Sequence, residues 1–275
     1  MLEQRIFITG GASGFGEALA DRYAKDQWSV CIGDLNEDRG IVVAKRLNAA
    51  GVRAQFLRCD VRKEEDIKAA ADWMQKNWGG VDAVINNAGV AVAGPFEDTS
   101  LSDWDWIIDI NLMGVVRGSK IFGKIFQNQG HGHIINIASA AGLVHLPRMA
   151  SYNVTKAGVV ALSETLRLEY PKIKVSVVCP TFFKTNLAET LRSSDKSIIA
   201  EVSKLVTQSK VTASSVAEIV FQAIQKNEFL ILPDANARKA RNLKKILPDF
   251  LFLKAIKMEI KNMQRMKAKT SAAKS

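Results

Sequence analysis

A short apolar run, Arg5–Thr9, passes directly into Gly10-Gly11-Ala12-Ser13-Gly14-Phe15-Gly16 and then into a helical stretch reaching about Lys25. Closely spaced glycines let a backbone turn sharply at the end of a strand and approach a ligand without side chains in the way. The helix that follows offers unpaired N–H groups and the positive end of its dipole. Strand, turn and helix in this order make a βα unit with an anion site at its crest, suited to a pyrophosphate. A glycine cluster by itself is only a turn; its position between strand and helix gives it chemical meaning.

Asp34 ends the next apolar run, 18 residues beyond Gly16. A carboxylate there accepts hydrogen bonds from adenosine ribose hydroxyls and repels a 2′-phosphate. Neither Ser13 nor Leu35 brings a positive charge to receive that phosphate, so the pattern favours NAD over NADP. The plain alternative for Asp34 is a helix cap or a solvated turn acid.

Strand-like runs are expected at 5–9, 29–33, 54–58, 81–85, 134–137, 175–178 and 229–232. Helical patterns fall between them, at 37–50, 64–77, 103–127, 150–169 and 215–225. The helix at 150–169 stops before Pro171, which cannot continue it. Continuous apolar strands alternating with helices predict an α/β fold: a doubly wound parallel sheet of about seven strands, covered on both faces. The expected organisation is a single domain over 1–235 and a C-terminal helical extension over 236–275.

With 275 residues, 47% of them hydrophobic, the chain can fill one sizeable core. Cys31, Cys59 and Cys179 lie far apart inside apolar runs, without a C-x-x-C pair. Neither a metal site nor a disulfide framework is expected, and the thiols suit a reducing compartment. The chain enters its first strand at once, and no apolar run approaches the ~20 residues that span a bilayer. A cytoplasmic location is the expectation, with peripheral membrane contact as an addition.

The net charge of +10 belongs to one end: residues 236–275 hold twelve Lys/Arg against two Asp/Glu, and the remainder is neutral. No basic stripe runs along the folded part, which argues against nucleic acid as a partner. Within the tail, Phe252, Leu253, Ile256, Ile260 and Met263 recur at helical spacing, with Lys254, Lys257, Lys261 and Arg265 on the other side. Such a helix suits an anionic membrane surface, its own domain or a partner subunit; docking on protein is the preferred reading, and 267–275 is expected to be disordered.

Ser139 follows the fifth strand, and Tyr152 and Lys156 stand four residues apart on the next helix, sharing one face. Free tyrosine titrates near ~10. A neighbouring ammonium and a positive nicotinamide ring favour the phenolate, so that Tyr152 exchanges a proton with a substrate hydroxyl while Ser139 holds the same oxygen. A packing tyrosine and a strand-end serine are the alternatives for residues met singly.

Together these features resemble the short-chain dehydrogenase/reductase family over roughly 3–235. Its glycine motif matches Thr9, Gly10, Gly14 and Gly16, with Ser13 and Phe15 inside it. Asn86-Asn87-Ala88-Gly89 matches the motif after the fourth strand, which implies that Asn87, Ala88 and Gly89 line the sheet edge beside the adenosine ribose. Asp60-Val61 matches the pair that contacts adenine. The catalytic set matches Asn111, Ser139, Tyr152 and Lys156. The resemblance implies that Lys156 also holds the nicotinamide ribose and that Asn111 positions a water. It further implies a homodimer or homotetramer.

Where the family carries Pro-Gly after the sixth strand, this chain has Pro180-Thr181, with Thr185 in the place of the carboxamide-contacting threonine. The following segment, about 182–212, covers the substrate in the family. Here it carries Phe182, Phe183, Leu187, Leu191, Ile198, Ile199, Val202 and Leu205, which suits an apolar substrate or simply the packing of the lid. His145 lies where the family places pocket residues. The expected reaction is reversible hydride transfer between NAD and a secondary alcohol or ketone. The alternatives are an NADP-linked ketoreductase of the same family and a catalytically silent dinucleotide-binding sensor or scaffold.

Overall fold

The computed structural model describes residues 3–258, except Ser194, Gln208, Asp249 and Ala255. The chain divides into two compact units, Met1–Pro233 and Asp234–Ser275. Seven strands build the first: β1 (Arg5–Thr9), β2 (Ser29–Asp34), β3 (Ala54–Arg58), β4 (Ala83–Asn86), β5 (His133–Ile137), β6 (Lys174–Val178) and β7 (Leu230–Ile231). Its helices are α1 (Gly14–Lys25), α2 (Glu37–Ala49), α3 (Glu64–Trp78), α4 (Leu101–Ile108), α5 (Gly114–Gln129), α6 (Ala150–Glu169), α7 (Lys196–Thr207) and α8 (Ala213–Gln225). In the second unit, α9 spans Ala235–Ile246, capped by the Asp234 carboxylate, which accepts from the Asn236 and Ala237 N–H groups.

All strand pairs are parallel, in the order β3-β2-β1-β4-β5-β6-β7. The order reverses between β1 and β4, and at such a point the carboxyl ends of an α/β sheet open a crevice. Alternate residues of each strand face opposite layers. Ile6, Ile8, Val30 and Ile32 pack with the apolar faces of α1, α2 and α8. Phe7, Cys31, Val84 and Ile134 pack with α3, α5 and α6. The doubly wound parallel sheet expected from the sequence is therefore the fold.

The helix expected over 103–127 is continuous but not uniform: α4 and α5 are joined by a π-helical turn, Asp109–Met113. One wide turn barely changes the spacing of apolar residues, so the sequence pattern carries no sign of it. The segment expected as a lid holds a 3₁₀ turn, Asn186–Thr190, and α7. Among the described residues no helix is long and apolar enough to cross a membrane. The tail residues Ile260, Met263, Lys261 and Arg265 and the stretch 267–275 lie outside the described part, as does the side chain of Leu205.

Candidate active site

The glycine turn is built by residues distant in sequence. Gly10 has φ of +64° and Gly14 of +56°, the left-handed region where a side chain is strained. A Cβ on Gly16 would lie 2.0 Å from the Gly10 carbonyl oxygen, so only glycine lets α1 start this close to β1. The Gly10 N–H donates to Gly33 O at 2.7 Å. Asn87 Nδ2 donates to Thr9 O (2.9 Å) and Gly10 O (3.1 Å). Thr9 Oγ1 in turn accepts from the N–H groups of Asn87 and Ala88. Asp34 Oδ2 accepts from the Ala12 N–H at 3.0 Å, and its Oδ1 from the Asn36 N–H.

The result is a glycine-rich crest over the N-terminus of α1, flanked by a half-buried carboxylate. That donor set fits a dinucleotide: amides for the diphosphate and an acid for a ribose. Ser13 stands at the N-cap of α1, and Phe15 is buried edge-on against Phe183 at 5.0 Å. Asp60 is buried, with its carboxylate engaged by Arg62 at 2.6 Å. Val61 lies under Gly114, where an added Cβ would meet its side chain at 3.0 Å.

Beside this crest lies a second cluster, at the carboxyl ends of β4, β5 and β6. Ser139 follows β5 in extended conformation; its Oγ accepts from the Ala141 N–H (3.1 Å) and lies 3.4 Å from Pro180 O. Its hydroxyl also hydrogen-bonds the Tyr152 phenol. Tyr152 and Lys156, one turn apart on α6, are both buried. Lys156 Nζ donates to Ile137 O at 2.9 Å and sits 5.8 Å from the centre of the Tyr152 ring. A Cβ built on Gly89 would lie 3.4 Å from Asn111 Oδ1 and 3.6 Å from Lys156 Nζ, so the two clusters meet there.

Burial raises the Tyr152 pKa above its ordinary value, and the hydrogen bond from Ser139 offsets this only in part. Burial also lowers Lys156 to about 8. With no nicotinamide beside it, Tyr152 holds its proton at neutral pH. Desolvation of the phenolate is the largest cause and outweighs the Ser139 hydrogen bond.

Asn111 lies in the π turn, wholly buried, with both ends of its amide on one residue: Val90 N–H donates to Oδ1 (2.8 Å) and Nδ2 donates to Val90 O (2.9 Å). Pro180 O accepts from the Ala140 N–H at 2.8 Å. Thr185 Oγ1 caps the 3₁₀ turn through the Leu187 N–H. His145 Nδ1 lies 3.1 Å from Ala141 O, within its own loop.

Several contributors carry no simple sequence signature. A Cβ on Gly142 would fall 2.6 Å from Lys156 O, so this glycine lets the Ser139 turn press onto α6. Among the described residues, three ion pairs tie down the 182–212 segment: Arg39–Glu189 (3.0 Å), Arg148–Asp195 (2.9 Å) and Arg192–Asp103 (3.2 Å). Arg148 holds a φ of +64°, an uncommon conformation for a residue other than glycine. Arg192 also stacks on Trp106 at 3.6 Å. The wall around Tyr152 is apolar: Val90, Val92, Ile107, Met149, Leu191 and Val202 pack in one cluster with it.

The family model described as short chain dehydrogenase matches residues 4–196. The chain is 35% identical to a D-threitol dehydrogenase of Mycolicibacterium smegmatis over 182 residues, 66% of this chain and 70% of that one. It is 32% identical to a 3beta-hydroxysteroid dehydrogenase of Mediterraneibacter gnavus over 203 residues, 73% of each. A short chain dehydrogenase/reductase from Burkholderia phymatum, solved in complex with NAD, superimposes with a TM-score of 0.83 at 31% identity, covering 89% of this chain and 95% of that one.

Proposed function

The chain belongs to the short-chain dehydrogenase family of oxidoreductases, and from that premise we propose that it interconverts a secondary alcohol and its ketone with NAD, on a substrate of largely apolar body. The observation that carries this reading is the convergence of Ser139, Tyr152 and Lys156 beside Gly89 and the glycine crest. When bound, the nicotinamide supplies or accepts the hydride at the substrate carbon.

The chain's own groups handle the oxygen and its proton. In reduction, the Tyr152 phenol, kept protonated by burial, gives its proton to the carbonyl oxygen; in oxidation the phenolate takes one from the hydroxyl. Ser139 holds that oxygen by hydrogen bonding. The Lys156 ammonium stabilises the phenolate left behind, at a distance and burial where solvent screens it little. Asn111 fastens Val90 and so the edge against which Lys156 lies. Asp34 supports NAD over NADP, and the crest residues Gly10, Ser13, Gly14, Phe15 and Gly16 form the diphosphate seat.

The apolar cluster containing Tyr152 supports an alcohol with a large hydrocarbon body in preference to a polyol. A homo-oligomer is the assembly we assign. The test is a panel of alicyclic, acyl-chain and polyol substrates assayed through nicotinamide absorbance with NAD and NADP. Turnover confined to polyols would overturn the substrate class. Absence of turnover together with undiminished NADH binding would favour the sensor reading.

A further inference from the structure

Within the Asp234–Ser275 unit, residues 236–275 hold all of the chain's excess positive charge, and the described part shows how that charge is displayed. On α9 the exposed positions include Arg238, Lys239 and Lys245, followed by Ile246, 79% exposed. The chain then turns at Leu247-Pro248, where the Pro248 carbonyl accepts from the N–H groups of Leu251 (2.9 Å) and Phe252 (3.1 Å). Helical backbone resumes over 250–254 and 256–258.

Sequence periodicity grouped Leu253 with Phe252 and Ile256, with the lysines opposite. The structure draws the line elsewhere. Phe252 is buried, whereas Phe250 (70%), Leu253 (56%) and Met258 (61%) are exposed. Lys254 and Lys257 are exposed too. Positions 250, 253, 254, 257 and 258 follow the i, i+3, i+4, i+7, i+8 spacing of one helix face. A single outward face therefore interleaves large apolar side chains with lysines.

Few surroundings satisfy both kinds of group. Water solvates the lysines and leaves Phe250, Leu253 and Met258 uncovered. A polynucleotide matches the charge and offers little to three aliphatic or aromatic side chains. A second copy of the same face covers the apolar groups and sets lysine against lysine. At the boundary between lipid headgroups and acyl chains, the apolar tips enter the hydrocarbon. The lysine stems lie along it, with their ammonium groups among phosphates.

We propose that the exposed basic and apolar side chains described between Ala235 and Met258 form a docking surface for an anionic lipid bilayer. No described helix is long and apolar enough to cross a membrane, so the segment lies in the interface. Neither the dehydrogenase site nor its substrate enters this inference, and the test can fail without touching that reading.

The full-length protein is sedimented with vesicles of pure phosphatidylcholine, and with vesicles of phosphatidylcholine and phosphatidylglycerol in equal parts. Binding is expected to the second and not to the first. It should weaken strongly as salt rises from about 0.1 M to about 1 M, where the screening length falls from ~10 Å to ~3 Å. Lys254→Gln combined with Lys257→Gln should lower the partition coefficient on the order of 25-fold, about fivefold per lysine. Phe250→Ser combined with Leu253→Ser should also abolish most binding. Both variants alter exposed positions, and unchanged thermal melts confirm that they fold. Full-length protein that stays in solution with both vesicles would overturn the proposal. So would binding that neither variant alters, or a face whose mutation changes only the self-association seen by sedimentation velocity.

Discussion

Lys156 Nζ donates to the Ile137 carbonyl at 2.9 Å, so the buried ammonium is held against the end of β5 by a bond independent of any ligand. Burial lowers its pKa to about 8. In the reducing direction both the Tyr152 proton and the Lys156 charge are present below that value. The kcat/KM for ketone reduction should therefore fall as pH rises through about 8, and Lys156→Arg should move that limb to higher pH while lowering the rate. Stability has the opposite sign. The cost of burying the charge is fully present below about 8, and stability from this group rises between there and 10.5, where the unfolded chain still binds the proton. Initial rates and thermal melts across this range check both.

Replacing Tyr152 by Phe removes the proton donor and leaves the ring that packs with Met149 and Val202. Turnover should fall by about 10²–10⁴-fold, with NADH affinity, read by fluorescence titration, nearly unchanged. A variant that retained more than about a tenth of the rate would remove Tyr152 from the proton-transfer role.

Asp34 serves two ends, since its carboxylate also accepts the Ala12 N–H of the glycine turn. Asp34→Ala should weaken NADH binding and narrow its advantage over NADPH. Arg39, in the first turn of α2, is paired with Glu189 on the lid. Glu189→Gln frees that guanidinium and should improve NADPH binding. Titrations of the three proteins with both cofactors decide it, and tighter binding of NADPH by the unmutated protein would reverse the cofactor assignment.

Two glycines separate space from backbone conformation. At Gly16 an added Cβ would meet the Gly10 carbonyl at 2.0 Å, so Gly16→Ala should displace α1 from the turn and abolish NADH binding. At Gly51 nothing lies within 4 Å, but φ is +82°. Gly51→Ala should cost only about 1–2 kcal/mol of stability and leave binding intact. Denaturant melts and NADH titration of the two variants make the comparison.

His133 is buried at the start of β5, its Nε2 2.9 Å from Ser176 Oγ, and burial lowers its pKa to about 3. The unfolded chain takes up this proton near 6.5 and the folded one does not. Stability should fall as pH drops from about 6.5 toward 3, by up to about 1.4 kcal/mol per unit from this residue. His133→Gln should be less stable at neutral pH and lose less on acidification, measured as Tm against pH.

The sequence determined what is local or periodic. Apolar runs and glycine placement specified β1, the turn at Gly10–Gly16 and α1, and the βα alternation implied the parallel sheet. The four-residue spacing of Tyr152 and Lys156 put both on one face of α6. Tertiary structure alone decided which distant groups complete the site. Asn87 closes the glycine turn from 77 residues away, and Asn111 grips Val90 from a π turn that leaves no mark on apolar periodicity. Tyr152 has a pKa above its ordinary value because desolvation depends on everything packed around it, not on the lysine four residues along. The tail's exposed face, likewise, came from which residues are covered: periodicity gives the angles around a helix, but only packing chooses which angle faces inward.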